Sequence, residues 1–355
     1  MTDPVTGVRL FTTIPAFGRL GSEYLRTVRL AGQSSEAAGF EGALIYSDNN
    51  TVDPWAVAQE LISATERFKP LVAVQPAYMH PYTAAKQIAS FGLLYGRRVC
   101  LNLVAGGSRK DLAALDDFTE HDERYLRLTE YAQLIRQLTA GTGPVTFDGD
   151  YYKVHNLTLF PTVPEHLQPE LFISGSSDAG VLAGDRLGAT PIRYPRPPNA
   201  GDAGLDIGAG GVRLGVIARD TDEEAWQVAH ERFPMSRAGQ RLQRMALAAS
   251  DSRWLIRLSE SDEFPGGTDS PYWMGPFKNY SSFCPYLVGS YEKVVPEVVR
   301  YLDSGCGTYI MDMARGETDY VDTAEVFDRA LAQHRRATGN KGAGFVSWNV
   351  PAGSS

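Results

Sequence analysis

The run Ser174-Gly175-Ser176-Ser177-Asp178 brings together small residues, hydroxyls and an acidic side chain just ahead of an apolar helical pattern. Small side chains leave backbone N–H groups open, hydroxyls donate hydrogen bonds, and a helix starting at Asp178 would turn its positive end toward the same spot. That combination suits a phosphate monoester. It also describes an ordinary helix N-cap, where Ser and Asp are preferred. A second candidate is Asn102-Leu103-Val104-Ala105-Gly106-Gly107. An amide inside an apolar strand can donate to a ring carbonyl or accept from a ring N–H, or it can satisfy buried backbone groups. Tyr125, in His-Asp-Glu-Arg-Tyr, presents a phenol that could reach a phosphate or simply pack; His121 and Arg124 make its turn locally basic. Arg213 lies within an apolar run, so it must pair with a carboxylate, for which Asp312 is one candidate, or bind an anionic group. The six histidines and three cysteines form no Ser-His-Asp, Cys-His or metal-ligand spacing.

These residues need elements to hold them. Short apolar, β-branched runs alternate with longer amphipathic stretches, the pattern of parallel strands covered by helices. Eight strands are predicted: 8–13, 43–47, 71–75, 98–105, 171–174, 190–194, 212–218 and 308–312. Helices are predicted over 23–38, 54–67, 82–95, from Thr119 (as N-cap) to about 140, and over 178–187, 221–231, 239–258, 294–303 and 323–336. Residues 142–170 read as turns with short β pieces, 195–211 as a Gly/Pro loop, and 261–289 as an irregular aromatic insertion. Eight strand–helix units fit a closed (β/α)8 TIM barrel with insertions, an α/β fold whose ligands sit at the C-terminal ends of the strands. No G-x-G-x-x-G follows the first strand, so a Rossmann dinucleotide site is not indicated.

The 355 residues are read as a single domain over 1–340, followed by a flexible tail at 341–355. Residues 1–6 are also read as disordered. A net charge of −8 argues against a nucleic-acid partner, whose phosphates would be repelled. No signal-peptide pattern and no apolar run of about 20 residues is present, so a cytoplasmic protein without a membrane association is expected, its three thiols reduced.

Five segments in order, Asn102–Gly107, His121–Tyr125, Val145–Val154, Leu171–Gly180 and Asp220–Ala229, resemble the bacterial luciferase-like flavin monooxygenases. The resemblance covers roughly residues 8–235 well and 290–335 weakly, and the alkanesulfonate monooxygenase branch is the nearest. It implies a two-component enzyme: reduced FMN arrives from a separate NAD(P)H-dependent flavin reductase, O2 adds at C4a, and the peroxyflavin oxygenates a small-molecule substrate. It also implies a homodimer or tetramer. By motif, Ser176, Ser177, Tyr125 and the Gly175 backbone would hold the FMN phosphate, while Asn102, Ala105, Gly106 and Gln75 would flank the isoalloxazine.

The sulfonate side of that pattern is altered. Where the branch has a Cys after its second strand, this chain places Thr51; its Arg-x-His is Arg213 and Gly215; a Tyr after strand eight is Ala314. Arg213 and Thr51 are thus the catalytic candidates, and Tyr194, Trp273 and Tyr280 the substrate candidates, the aromatic segment serving as a lid. A substrate larger and less charged than an alkanesulfonate, such as a specialised metabolite, is expected. The same fold also serves deazaflavin (F420)-dependent hydride transfer and non-catalytic flavin-binding subunits, which stand as alternatives.

Overall fold

Alternation along the strands decides what faces inward. Phe11, Leu44, Leu71, Cys100, Phe172, Ile192 and Ile310 form one buried apolar cluster. Two residues further along the same strands, on the same face, stand Thr13, Tyr46, Ala73, Asn102, Ser174, Tyr194 and Asp312. Arg213 joins this set: it stands two residues past Gly211, whose Cα is paired with that of Ile192, and so comes level with Tyr194. The interior is therefore apolar at its base and polar toward the end where the strands stop.

In the computed structural model the described residues are 8–15, 21–195, 210–248, 250, 270–312 and 314–338. Strands β1 (Arg9–Thr13), β2 (Gly42–Ile45), β3 (Lys69–Val74) and β4 (Cys100–Leu103) alternate with helices α1 (Ser22–Ala37), α2 (Pro54–Ala64) and α3 (Pro81–Tyr95). After β4 come α4 (Arg109–Ala114) and α5 (His121–Ala140), then a separate antiparallel hairpin, β5 (Val145–Asp148) with β6 (Lys153–Leu157). Next are β7 (Leu171–Ile173), α6 (Asp178–Leu187), β8 (Thr190–Arg193), β9 (Gly211–Arg219), α7 (Asp222–Arg232) and α8 (Arg237–Ala248). The chain continues with β10 (Tyr272–Trp273), α9 (Gly275–Lys278), β11 (Tyr286–Ser290), α10 (Tyr291–Asp303), β12 (Thr308–Met311) and α11 (Glu317–Thr338). Parallel pairing runs β1-β2-β3-β4-β7-β8-β9-β12 and closes from β12 to β1. This is the eight-stranded parallel barrel expected from the sequence, each predicted strand falling on one barrel strand.

Local chemistry sets the helix starts. The Asp53 carboxylate accepts from the N–H groups of Trp55 and Ala56 at 3.0 Å, with Pro54 in the first turn. Thr221 caps α7 through the N–H of Glu224. Thr119 does not cap α5. The cap is Glu120, without a side-chain bond, because the Thr119 hydroxyl donates to Asp117 at 2.6 Å, held in turn by Arg127. At the base of the barrel Arg9 bonds both Glu41 and Glu170 and lies over the rings of Phe11 and Phe172.

The insertion before β12 differs from the irregular segment expected. Its described part, 270–290, is ordered: β10 pairs antiparallel with β11, and β11 adds parallel to the outer half of β9, Tyr286 opposite Gly215. The helix predicted over 239–258 is described as far as Ala248; residues 251–258, like the predicted loop at 196–209 and the two termini, lie outside the described residues. The three cysteines are free and buried. Among the described residues no helix is long and apolar enough to cross a membrane, and no His/Cys/Asp/Glu group could hold a metal ion.

Candidate functional site

The rim of the barrel divides into two arcs. On the first, β3, β4 and β7 are neighbours. Asn102, buried in β4, accepts at its Oδ1 a hydrogen bond from Ser174 Oγ at 3.0 Å, which ties the end of β4 to the end of β7. Gln75 follows β3 and Ala105 follows β4, and both are buried. Gly106 takes φ +102°, a conformation costly for other residues, and lies against Leu112. These four, with Ser174, face the same stretch of rim.

The serine turn completes this arc. Ser177 caps α6, its Oγ accepting from the N–H of Gly180 at 3.2 Å. Tyr125, one turn into α5, lies over this turn. A Cβ at Gly175 would stand 2.8 Å from the Tyr125 hydroxyl, and one at Gly180 would stand 3.2 Å from its ring, so only glycine fits either position without displacing the phenol. Burial raises the Tyr125 pKa, against the opposing hydrogen bond with Ser177, so the group stays a neutral O–H donor. Ser176 Oγ is buried and has no hydrogen-bond partner. An orphaned hydroxyl is costly unless something bonds it. A helix N-terminus, open backbone, two hydroxyl donors and this unmet group fit a phosphate monoester.

The second arc, from β8 through β12 and β1 to β2, is a polar network in which Arg213 Nε has no hydrogen-bond partner among the described residues. The Arg213 guanidinium donates to Asp312 Oδ1 at 3.0 Å, to Tyr194 Oη at 3.2 Å and to the hydroxyl of Tyr46. Burial disfavours its charge, yet Tyr194, Tyr46 and Asp312 hold its pKa well above the ordinary value. The second Asp312 oxygen accepts from Ser282 at 2.6 Å and from Tyr286 at 2.9 Å. Burial pushes the phenols of Tyr46, Tyr194 and Tyr286 upward, so they remain protonated donors. Arg213 therefore resolves the sequence alternative in favour of a carboxylate partner. A Cβ at Gly215 would meet the Tyr286 ring at 2.2 Å. Where the sulfonate branch carries His, this chain has a glycine that admits the Tyr286 ring.

Two expectations need correction. Thr51 does not reach the interior. It lies in the turn after β2, its Oγ1 accepting from the Asp48 N–H at 3.2 Å; the inward position at the end of β2 belongs to Tyr46. Thr51→Ala should therefore shift stability by no more than about 0.5 kcal/mol and leave kcat unchanged, whereas Tyr46→Phe should lower kcat/KM; steady-state kinetics on the pair checks the assignment. Trp273 is not part of a lid. It is buried against Trp226 and His230 on α7 and Phe233 just past its end, with ring centroids 5.5–6.1 Å apart. Trp273→Phe should cost about 1–2 kcal/mol of stability, measured by chemical denaturation. Tyr280 is half exposed, with φ +56°, and stacks edge-on with Phe283; it does not join the Arg213 network.

Residues missed from the sequence are Tyr46, Ser282, Tyr286 and Gln243. The first could have been found by stepping two residues past Leu44. Gln243 is buried on the inner face of α8. That helix crosses the rim: at one end Gly239 packs on the Asn279 carbonyl, and at the other Ser250 Oγ donates to Gly107 O at 3.3 Å and Arg109 to Ala248 O.

Residues 6–192 match the family model for luciferase-like monooxygenases. The chain is 34% identical over 311 residues to 4-(gamma-L-glutamylamino)butanoyl-[BtrI acyl-carrier protein] monooxygenase BtrO of Niallia circulans, covering 86% of this chain and 91% of that one. In fold it is similar to riboflavin lyase (TM-score 0.71, 16% identity, 96% of this chain and 94% of that one). It is likewise similar to long-chain alkane monooxygenase (TM-score 0.69, 15% identity, 96% and 92%). The chain belongs to the luciferase-like monooxygenase family.

Proposed function

We propose that this chain is the oxygenase of a two-component system, taking reduced FMN from a separate flavin reductase and using O2 to hydroxylate or otherwise oxygenate an acyl group carried on an acyl carrier protein. The observation that carries the cofactor assignment is the buried, partnerless Ser176 hydroxyl at the N-terminus of α6, under Tyr125. Ser176, Ser177, Tyr125 and the Gly175 backbone would hold the phosphate, and the helix dipole adds to its binding. Gln75, Asn102 and Ala105 would border the ring. When bound, the reduced flavin supplies two electrons to O2, so that one oxygen atom enters the substrate and the other leaves as water.

The chain's own contribution is positioning and dryness. Phe11, Phe172, Leu44 and Ile310 close the floor of the barrel against water. Tyr46 and Tyr194 stay protonated and can orient a polar substrate group. Because Asp312 already neutralises Arg213, the second arc offers no net positive charge to a sulfonate, which supports a neutral, amide- or ester-like substrate. Assignment to a carrier-bound acyl chain rests on the relative of 34% identity, whose name states such a substrate.

The test supplies the purified protein with flavin reductase, NADH, FMN, O2 and a carrier protein loaded with 4-(gamma-L-glutamylamino)butanoyl-phosphopantetheine. The acyl group should gain the mass of one oxygen atom, with O2 consumed in step. Oxygen-independent oxidation of reduced deazaflavin F420, with no reduced-FMN oxidase activity, would replace this reading with the hydride-transfer one.

A further inference from the structure

On α8, Arg237, Arg241 and Arg244 recur at i, i+4 and i+7 and fall on one exposed stripe, opposite the buried Gly239 and Gln243. Beside the stripe stand Leu242, Met245 and the preceding Met235, exposed by 51%, 69% and 86%. From Ser236 to Ser250 the sequence holds three arginines and no acidic residue, in a chain of net charge −8. None of the described acidic side chains pairs with the three. Arg109 and Lys110, on the exposed start of α4, extend the basic surface where α4 meets the end of α8. This helix, about 18 Å long, lies across the rim above both arcs of the site.

We propose that the outer face of α8 is the docking surface for an acidic, helical acyl carrier protein, whose flexible phosphopantetheine arm then enters the barrel beside α8. This inference rests on the carrier-bound reading of the substrate. Charge complementarity chooses the occupant. A basic stripe flanked by exposed Leu and Met is what an acidic helix with a few apolar residues would meet, and on a chain of net −8 such a stripe is a local exception. The position matters equally. A partner seated on α8 holds its arm over the rim, whereas one seated on any lateral barrel helix would not.

The test is the triple variant Arg237→Glu, Arg241→Glu, Arg244→Glu, assayed with two substrates: the loaded carrier protein, and the same acyl group on free pantetheine. The expected result is a KM for the loaded carrier raised by about 10- to 100-fold, with kcat, reduced-FMN affinity and turnover of the pantetheine thioester unchanged. Wild-type KM should also rise with salt, and the variant's should not. Wild-type turnover of the loaded carrier with an unaltered KM in the variant would overturn the docking surface while leaving the carrier-bound reading intact. Turnover of the pantetheine thioester but never of the loaded carrier would overturn both. Dissociation of a wild-type oligomer into monomers by the same substitutions, seen by analytical ultracentrifugation, would reassign the face to contact between copies of this chain.

Discussion

Asp312→Ala is expected to destabilise the protein by about 3–5 kcal/mol, a fall in Tm on the order of 10 °C. The carboxylate accepts from two hydroxyls, those of Ser282 and Tyr286, and is the counter-charge of Arg213, whose side chain is 8% exposed. Removing it leaves a guanidinium charge in a dry interior and strands two donors at once. Uncompensated burial of that kind costs more than the pair contributes when whole. The double variant Arg213→Leu, Asp312→Leu should therefore be more stable than Asp312→Ala alone, although it has lost more hydrogen bonds. Chemical denaturation of the two variants and the wild type measures the order. An Asp312→Ala protein within about 1 kcal/mol of wild type would mean that the network is not what joins the β10–β11 insertion to the barrel.

Ser176→Ala should weaken reduced-FMN binding by about 10-fold, the loss of one hydrogen bond to a charged group. Its effect on stability without cofactor should be small, within about 1 kcal/mol, because the hydroxyl it removes has no partner within the protein. That contrast is the informative part. A side chain that serves only the fold would lose stability when trimmed; one held for a ligand loses affinity alone. Gly175→Ala should be worse than Ser176→Ala for binding, since its Cβ would push on the Tyr125 hydroxyl from 2.8 Å. Anaerobic fluorescence titration and thermal melts on the same samples separate the two effects.

Much of the fold was legible because parallel strands buried on both faces leave an unmistakable trace: short β-branched runs with no polar alternation. The serine turn was legible for a similar local reason, since cap residues and helix starts are written in adjacent positions. The second arc was not. The bonded pairs among Arg213, Asp312, Tyr46 and Tyr286 lie between 26 and 167 residues apart, and nothing local to Tyr286 says that its ring will fill the space above Gly215. The aromatic richness of 270–290 read as irregular because its strands pair with β9 and with each other over a long intervening loop. The family resemblance points to Thr51 across a loop, where lengths drift, whereas the strand period past Leu44 leads to Tyr46. Thr119 looked like a cap because its neighbours Asp117 and Arg127, which hold its hydroxyl, carry no weight in a local capping pattern.

The account stands on a phosphate seated in the turn between β7 and α6. Equilibrium titration of the wild-type protein, under anaerobic conditions, with reduced FMN and with reduced riboflavin isolates that group, since the two ligands differ only in the phosphate. Reduced FMN should bind tighter by about 100-fold, roughly 3 kcal/mol from the helix terminus and charge-assisted hydrogen bonds together. Equal affinity for the two would contradict it.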